Sequence, residues 1–197
     1  MRRLFYMRKH IAMFLAVLLL IAVFPNPAYC EESEQDNIVT TKHTAVVQGK
    51  KLDYTAQAGT MFLKTGGETC ELFFTAYMLD GVDNPADRPI TFAFNGGPGA
   101  ASVFLNAGAF GPRRVAVNED GSVIQMPAQM KDNENSILDL TDLVIIDAVG
   151  TGYSRPTGNS TLESFCGYEN DNRTFGDFIR QYINRYNRWG SKKYVAG

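Results

Sequence analysis

The sequence has little histidine and cysteine, and it lacks the short motifs of metal and nucleotide sites. It carries two histidines and three cysteines in 197 residues. There is neither a Cys-x-x-Cys pair nor a histidine cluster, so nothing predicts a metal centre. No Gly-x-Gly-x-x-Gly follows a predicted strand and no Walker sequence is present, which leaves nucleotide binding without support. We therefore expect neither a metal nor a cofactor.

The chain also lacks the sequence context of an activated serine. The motif Gly-x-Ser-x-Gly, which places a nucleophile on a sharp turn between strand and helix, is absent, and Ser102, Ser154, Ser160 and Ser164 lie in other contexts. The one histidine after residue 30 is His43, in the first predicted hairpin, where we expect a structural or surface role rather than that of a catalytic base. These residues identify no serine–histidine pair.

Positive charge is not in excess. The formal net charge is −2, and removal of residues 1–30, which hold four positive charges and no negative one, changes it to −6. A mildly acidic domain gives no electrostatic reason to bind nucleic acid or anionic lipid. We expect no nucleic-acid partner.

Residues 1–30 have the layout of a secretory signal peptide. Four basic residues precede an unbroken apolar run over residues 11–24, two prolines end it, and Ala28 and Cys30 have the spacing of a cleavage site. The alternative is a membrane anchor, but fourteen residues span only about 21 Å as a helix, short of the ~30 Å hydrocarbon core. We expect a secreted or periplasmic protein, with membrane contact only through an uncleaved leader.

Cys70 and Cys166 remain after such cleavage, in a compartment that permits disulfides. A bond between them would close a loop of about a hundred residues and stabilise the fold by perhaps ~4–5 kcal/mol in the chain-entropy model. The alternatives are two free thiols or a partner elsewhere. Sequence alone does not fix the pairing.

The order of predicted elements indicates an α/β protein. Short β-rich runs separated by glycine, over residues 43–48, 52–57, 61–64 and 70–79, predict antiparallel hairpins. Residues 89–94 and 142–147 are apolar on both faces, as in buried parallel strands, and a helix over 101–109 separates them. An apolar stripe predicts a second helix over 174–189, with Gly190 as its cap and a strand at 193–196 after it. This is how an α/β-hydrolase fold begins.

A glycine-rich loop, Asn95-Gly96-Gly97-Pro98-Gly99, follows the first predicted parallel strand. Acyl transfer needs backbone N–H donors directed at a developing oxyanion, and glycine lets the backbone approach a substrate closely. The alternative is an ordinary tight turn between strand and helix. The pentapeptide alone leaves both open.

Three long blocks extend this motif and resemble the serine carboxypeptidases in family order. They are TFAFNGGPGAASVFLNAGAFGPRR, NENSILDLTDLVIIDAVGTGYSR and GDFIRQYINRYNRWGSKKYVAG. The resemblance implies an α/β-hydrolase fold present only as its N-terminal part, residues 31–197. It also implies that Gly97 supplies an oxyanion-hole N–H, and that Asn95 and the Gly96 backbone hold the substrate's terminal carboxylate.

The same resemblance implies a loop near the site and a nucleophile outside the chain. Gly150, Gly152 and Tyr153 belong to a loop packed under the site, for which a pure packing role is the alternative. Gly197 matches the first glycine of the family's Gly-Glu-Ser-Tyr-Gly elbow, so the nucleophilic serine is expected two residues beyond it. Because the chain order is Ser, Asp, His, the whole triad would then lie outside this chain.

Three departures bear on specificity. Ala109 stands where the family has a carboxylate-binding glutamate, Ala101 where serine is usual and Ala148 where proline is usual. The leading expectation is a secreted serine-type carboxypeptidase acting on peptide or protein substrates, present as a fragment that is inactive alone. An esterase or acyltransferase on the same scaffold, or a non-catalytic secreted fragment, are the alternatives.

Overall fold

The computed structural model describes residues 35–96, 99–122, 124 and 126–197. The expected signal peptide lies outside the described residues. Within them, no helix is long and apolar enough to cross a membrane.

The described chain forms a mixed sheet with few helices. The sheet strands are β1 Asn37–Val47, β2 Lys50–Thr65, β3 Glu68–Leu79, β4 Ile90–Phe94, β7 Asp142–Ile146, β8 Arg155–Pro156 and β9 Lys193–Ala196, while β5 Arg113–Val115 and β6 Met130–Asp132 form a separate pair. The principal helix, α1, spans Tyr168–Arg185, and shorter turns are the 3₁₀-helices Pro85–Asp87 and Leu162–Phe165 and the π-helix Leu105–Phe110. This architecture confirms the α/β character.

The strand order is β1-β2-β3-β7-β4-β9, with β8 paired to β3. The hairpins β1–β2–β3 are antiparallel and β3 meets β7 antiparallel. Strand β4 is parallel to both β7 and β9. Because parallel strands require a crossover, the segments between β4, β7 and β9 cover the sheet.

The runs 52–57 and 61–64 are predicted as two strands separated at Gly59, and this prediction is wrong, because both belong to the single strand β2. Strand β2 continues through Gly59, which pairs with Ile38 of β1. A Cβ at Gly59 would lie 1.9 Å from the carbonyl oxygen of Asn37, and its φ is +156°. The glycine therefore allows a close approach of two strands rather than ending one.

Both predicted helices differ from the structure in their bounds. The helix expected over 101–109 is a short segment that is mostly π-helical, Leu105–Phe110. Helix α1 begins six residues before the expected Thr174 and ends at Arg185, because Asn187 takes a left-handed φ of +53° directly after the cap residue Tyr186. Gly190 is therefore not the cap.

The predicted apolar stripe of α1 is confirmed and covers one face of the sheet. Phe178 and Tyr182 are fully buried against Phe74, with ring centroids 5.5 and 5.7 Å away, and Tyr182 also meets Phe92 edge-on. Such aromatic pairs add about 0.5–1.5 kcal/mol beyond the area that they bury. These aromatic contacts pack α1 against β3 and β4 of the sheet.

An ionic cluster fixes the amino end of the parallel strands. Asp142, the first residue of β7, is 3% exposed. Its carboxylate accepts bonds from Arg88 Nε at 2.7 Å and Arg188 Nη1 at 2.6 Å, and also from the Leu79 N–H at 3.0 Å. Arg188 lies just past α1 and Arg88 just before β4, so one carboxylate joins four segments.

Removal of one partner from this cluster should destabilise the fold strongly. We expect Asp142→Ala or Arg188→Ala to lower the free energy of unfolding by about 3–5 kcal/mol, because an unpaired charge stays buried. Arg180→Ala is the matched control, since that guanidinium pairs with Asp177 but its side chain is 67% exposed. It should cost less than about 1 kcal/mol. Urea denaturation measures all three, and equal losses would contradict the prediction.

Candidate active site

The carboxyl ends of the three parallel strands meet at one edge of the sheet. Phe94, the last residue of β4, pairs with Ile146, the last residue of β7, and Ala93 pairs with Ala196 of β9. The residues that follow these strands therefore lie side by side at what we call the carboxyl edge. Open α/β sheets bind ligands outside this edge.

Gly197 follows β9 directly above the ring of Phe94. A Cβ at Gly197 would lie 2.5 Å from Phe94 Cε2. That ring stacks on Phe175 of α1 at a centroid distance of 4.2 Å. A side chain at position 197 would displace the aromatic pair, so the packing requires glycine here.

Asn95 and Gly96 begin the glycine-rich loop beyond β4. Gly96 is exposed and Asn95 half-buried, and the Asn95 side-chain amide donates to the Gly96 carbonyl at 3.2 Å. The backbone N–H of Asn95 donates to the hydroxyl of Ser102 at 2.9 Å. Gly97, the expected oxyanion-hole donor, lies outside the described residues.

Ser102 and Asp147 join this loop to the end of β7. The Ser102 hydroxyl donates to the Ile146 carbonyl at 2.6 Å, and its backbone N–H donates to Asp147 Oδ1 at 2.7 Å. Both side chains are buried, at 2% and 7% exposure. The sequence analysis did not predict this link between Ser102 and Asp147. The features that could have indicated it are a single serine between apolar residues and an aspartate at the end of an apolar strand.

The loop after β7 contains the other predicted site residues. Gly150 and Gly152 have φ values of +85° and +49°, where side chains are strained. Tyr153 is 73% exposed and its ring centroid lies 5.1 Å from that of Phe73. The loop begins at the carboxyl edge, and the Ser154 hydroxyl binds it back to the Asp147 carbonyl at 2.8 Å.

Ala109 lies in the π-helix that follows the glycine-rich loop along the chain. Its carbonyl accepts a bond of 2.7 Å from the side-chain amide of Asn133, which is 1% exposed. The same turn is held by Tyr77, whose hydroxyl donates to Asn106 Oδ1 at 2.8 Å. Burial raises the pKa of Tyr77 to about 12, so this hydroxyl keeps its proton at neutral pH.

His43 is remote from the carboxyl edge. It lies exposed on β1, at the opposite end of the strand order from β9. Its Nε2 is 2.7 Å from the Thr41 hydroxyl, and its ring stacks on Tyr54 at 5.6 Å. These contacts are those of a surface strand residue. Within the described part of the chain, His, Cys, Asp and Glu form no group of three that could hold a metal ion.

The bond between Cys70 and Cys166, one of the alternatives that the sequence leaves open, is absent from the structure. Both are free thiols. Cys70 is fully buried in the core beneath α1, whereas Cys166 is exposed and its thiol donates to the Leu162 carbonyl at 3.3 Å. Position 70 faces the core because β3 alternates, and Cys166 is turned outwards just before α1.

The geometry defines an α/β protein with a glycine-rich carboxyl edge, and comparison with known proteins defines its family. The model of the serine carboxypeptidase family matches residues 49–197. That is well over half of the chain, so the chain belongs to the serine carboxypeptidase family. None of the curated proteins compared with it matches.

Seventeen chains of solved structures match. One is the crystal structure of Kex1(delta)p, a prohormone-processing carboxypeptidase from Saccharomyces cerevisiae, with 25% sequence identity and a TM-score of 0.52. The match covers 72% of this chain and 30% of that one. The chain therefore spans less than a third of that relative's length.

The two thiols should react very differently. Burial raises the pKa of Cys70 to about 12, so at pH 8 we expect it to stay protonated and unreactive, whereas exposed Cys166 is alkylated. Peptide mapping after iodoacetamide treatment, with and without denaturant, measures this. Two results together would contradict the assignment of both cysteines as free thiols: neither cysteine is labelled until the protein is unfolded and reduced, and a peptide cross-linked through both is found before reduction.

Proposed function

We propose that this chain is the N-terminal part of a secreted serine-type carboxypeptidase with an α/β-hydrolase fold. The observation that carries the proposal is the meeting of Asn95, Gly96 and Gly197 at one edge of three parallel strands. Family membership supports a peptidase. The yeast relative, described as a prohormone-processing carboxypeptidase, supports a peptide or protein substrate cut at its carboxyl end.

In the proposed reaction, the carboxyl edge would stabilise the oxyanion, and residues beyond Gly197 would supply the catalytic triad. Elbow sequences place a serine on a sharp turn after a strand, and β9 is the strand that leads to Gly197. A serine two residues further would attack the last peptide bond and form an acyl-enzyme, with the histidine and aspartate of the triad also outside this chain. The Gly97 N–H would stabilise the oxyanion.

Asn95 and Gly96 would hold the terminal carboxylate of the substrate. Gly96 is exposed at the edge and, among the described residues, no atom lies within 4 Å of an added Cβ, so these residues leave its backbone open to a substrate. The Asn95 amide bonds only to the neighbouring Gly96 carbonyl, at 3.2 Å, among its contacts in the described residues, and it can exchange that long bond for a charge-assisted one. Gly150, Gly152 and Tyr153 would support the edge from below.

A second candidate is an esterase or acyltransferase that uses the same edge. Ala109 favours it, because no carboxyl group is available where the family has a glutamate, and its carbonyl is engaged by Asn133. Such an enzyme would not require a free carboxylate on its substrate. Neither candidate needs a metal or cofactor, and neither binds nucleic acid.

Secretion is part of the proposal and follows from the layout of residues 1–30. The mature protein would start near residue 31 in an extracellular or periplasmic compartment. Membrane contact would be limited to an uncleaved leader.

The coding sequence beyond Gly197 and the activity of its full product test the proposal together. We expect Glu-Ser-Tyr-Gly to follow, and the product to be labelled by a fluorophosphonate probe and to release the last residue of an N-blocked dipeptide. The same dipeptide with an amidated C-terminus should be cleaved at least tenfold more slowly, since a hydrogen bond to a charged group contributes about 1.5–3 kcal/mol. Equal rates on both would show that the free carboxylate is not recognised, hydrolysis of the matching ester but of neither peptide would favour the esterase, and a stop codon after Gly197 would leave a non-catalytic fragment.

The variant Asn95→Ala distinguishes loss of carboxylate binding by the Asn95 side-chain amide from a general loss of activity. We expect KM for the free-acid dipeptide to rise about tenfold, the loss expected for one bond to a charged carboxylate, while the amidated substrate is unaffected. Asn184→Ala is the control, because its side chain accepts a bond from Trp189 Nε1 on the exposed end of α1. An equal change for both substrates would show that Asn95 does not contact the carboxylate.

A further inference from the structure

We propose that Ser102 and Asp147 are positioning residues, which fix the Asn95–Gly96 backbone against the end of β7 through the Ser102 hydroxyl. The inference rests on the proposed function, because the position of this backbone matters to a reaction only if the carboxyl edge binds substrate. Neither residue is catalytic, since both are buried beneath the loop. They would act only through Asn95 and Gly96.

The Ser102 hydroxyl bridges the ends of two neighbouring strands. It accepts the Asn95 N–H at 2.9 Å and donates to the Ile146 carbonyl at 2.6 Å. A hydroxyl has one proton, so with Ile146 as acceptor its lone pairs face Asn95. The direction of both bonds is thereby fixed, and the first peptide group beyond β4 is bound to the last one of β7.

Asp147 fixes Ser102 in turn. Its Oδ1 accepts the Ser102 N–H at 2.7 Å, while its own backbone binds Phe73 through N–H and Ser154 through C=O, at 3.0 and 2.8 Å. Among the described ranges, no lysine or arginine comes within salt-bridge distance of this carboxylate. Its short bond to a backbone donor is charge-assisted and correspondingly strong.

Gly152 makes room for the second oxygen of this carboxylate. A Cβ at Gly152 would lie 1.8 Å from Asp147 Oδ2, and the residue has a left-handed φ of +49°. Any side chain there would push the carboxylate away from Ser102. The loop after β4 and the loop after β7 are thus interlocked through Ser102, Asp147 and Gly152.

This interlock matters because substrate-binding groups must be held to a fraction of an ångström. A displacement of about 1 Å in such a group can cost a hundredfold in rate. Gly96 is exposed and glycine restrains the backbone little, so the anchored Asn95 N–H provides the restraint on this part of the loop. A purely structural serine would support the fold without controlling Asn95.

Amide hydrogen exchange in the full chain tests the positioning directly. Ser102→Ala should speed the exchange of the Asn95 N–H by about tenfold, the factor expected for one lost buried hydrogen bond. The matched control is Ser136→Ala. Its hydroxyl is also fully buried, donating to the Phe110 carbonyl at 2.7 Å and accepting the Leu138 N–H at 3.3 Å, and its loss should leave Asn95 exchange unchanged.

Two substitutions of Asp147 separate hydrogen bonding from folding. Asp147→Asn retains an acceptor for the Ser102 N–H, so Asn95 should exchange within about threefold of the wild-type rate, whereas Asp147→Ala should match Ser102→Ala. Amides of β2 and β3 report global stability in every variant. The inference is overturned if Asn95 responds equally to Ser102→Ala and Ser136→Ala, or to neither.

Turnover by the full-length product connects the positioning to the reaction. Ser102→Ala should raise KM for the free-acid dipeptide by up to about tenfold, as Asn95→Ala does, with kcat changed less than about threefold, because it acts only through the groups that bind the carboxylate, and Ser136→Ala should leave both unchanged. An unchanged KM in Ser102→Ala would overturn the role in positioning the substrate-binding backbone. If the wild-type protein turns over no substrate, the proposed function fails, and the exchange of Asn95 alone decides whether the two residues position the loop.

Discussion

The buried carboxylate of Asp142 is the interaction on which the other parts of the structure depend. It binds Arg88 before β4, Arg188 before β9 and the end of β3, so it sets where the parallel strands begin. Arg188 also donates to the Arg88 carbonyl at 2.9 Å and to the Ser191 hydroxyl through Nε at 2.8 Å. Two buried cations around one anion are stable only because nearby carbonyls and hydroxyls accept their remaining protons. Once the amino ends are aligned, strands of similar length bring their carboxyl ends together.

The two edges of the parallel strands are held by different chemistry. The amino edge is held by ion pairs between one carboxylate and two arginines. The carboxyl edge uses one hydroxyl, one carboxylate bound by a backbone N–H, and glycines where side chains would collide. Ser102 and Asp147 hold the loop from beneath and leave Gly96 exposed. The rigid side of the site is therefore buried, and its contact side is open.

Much of the fold and part of the site could be predicted from local pattern. Local sequence predicts the parallel strands β4, β7 and β9 and the apolar stripe of α1, because the apolar residues of each segment themselves indicate that it is buried. The bounds of α1 and the continuity of β2 were missed because they depend on other segments: Gly59 meets Asn37, and the chain turns at Asn187 so that Arg188 can reach Asp142. The sequence left a Cys70–Cys166 disulfide and two free thiols both open, and the structure has free thiols, with one cysteine facing the core and the other facing solvent. The Gly97 N–H stays a prediction, since it lies outside the described residues.

Local sequence was enough to predict the class of protein, because an apolar strand, a glycine-rich loop and an amphipathic helix are each recognised from a few neighbouring residues. It also determined the family, since three long blocks occur in the family's order. The folded chain is needed to see that Ser102, Asp147 and Gly152 form one unit, and that Asp142 binds arginines more than forty residues away on either side. A local pattern indicates whether a side chain is buried. Its hydrogen-bond or ion-pair partner depends on the crossover connections that bring distant strands into register.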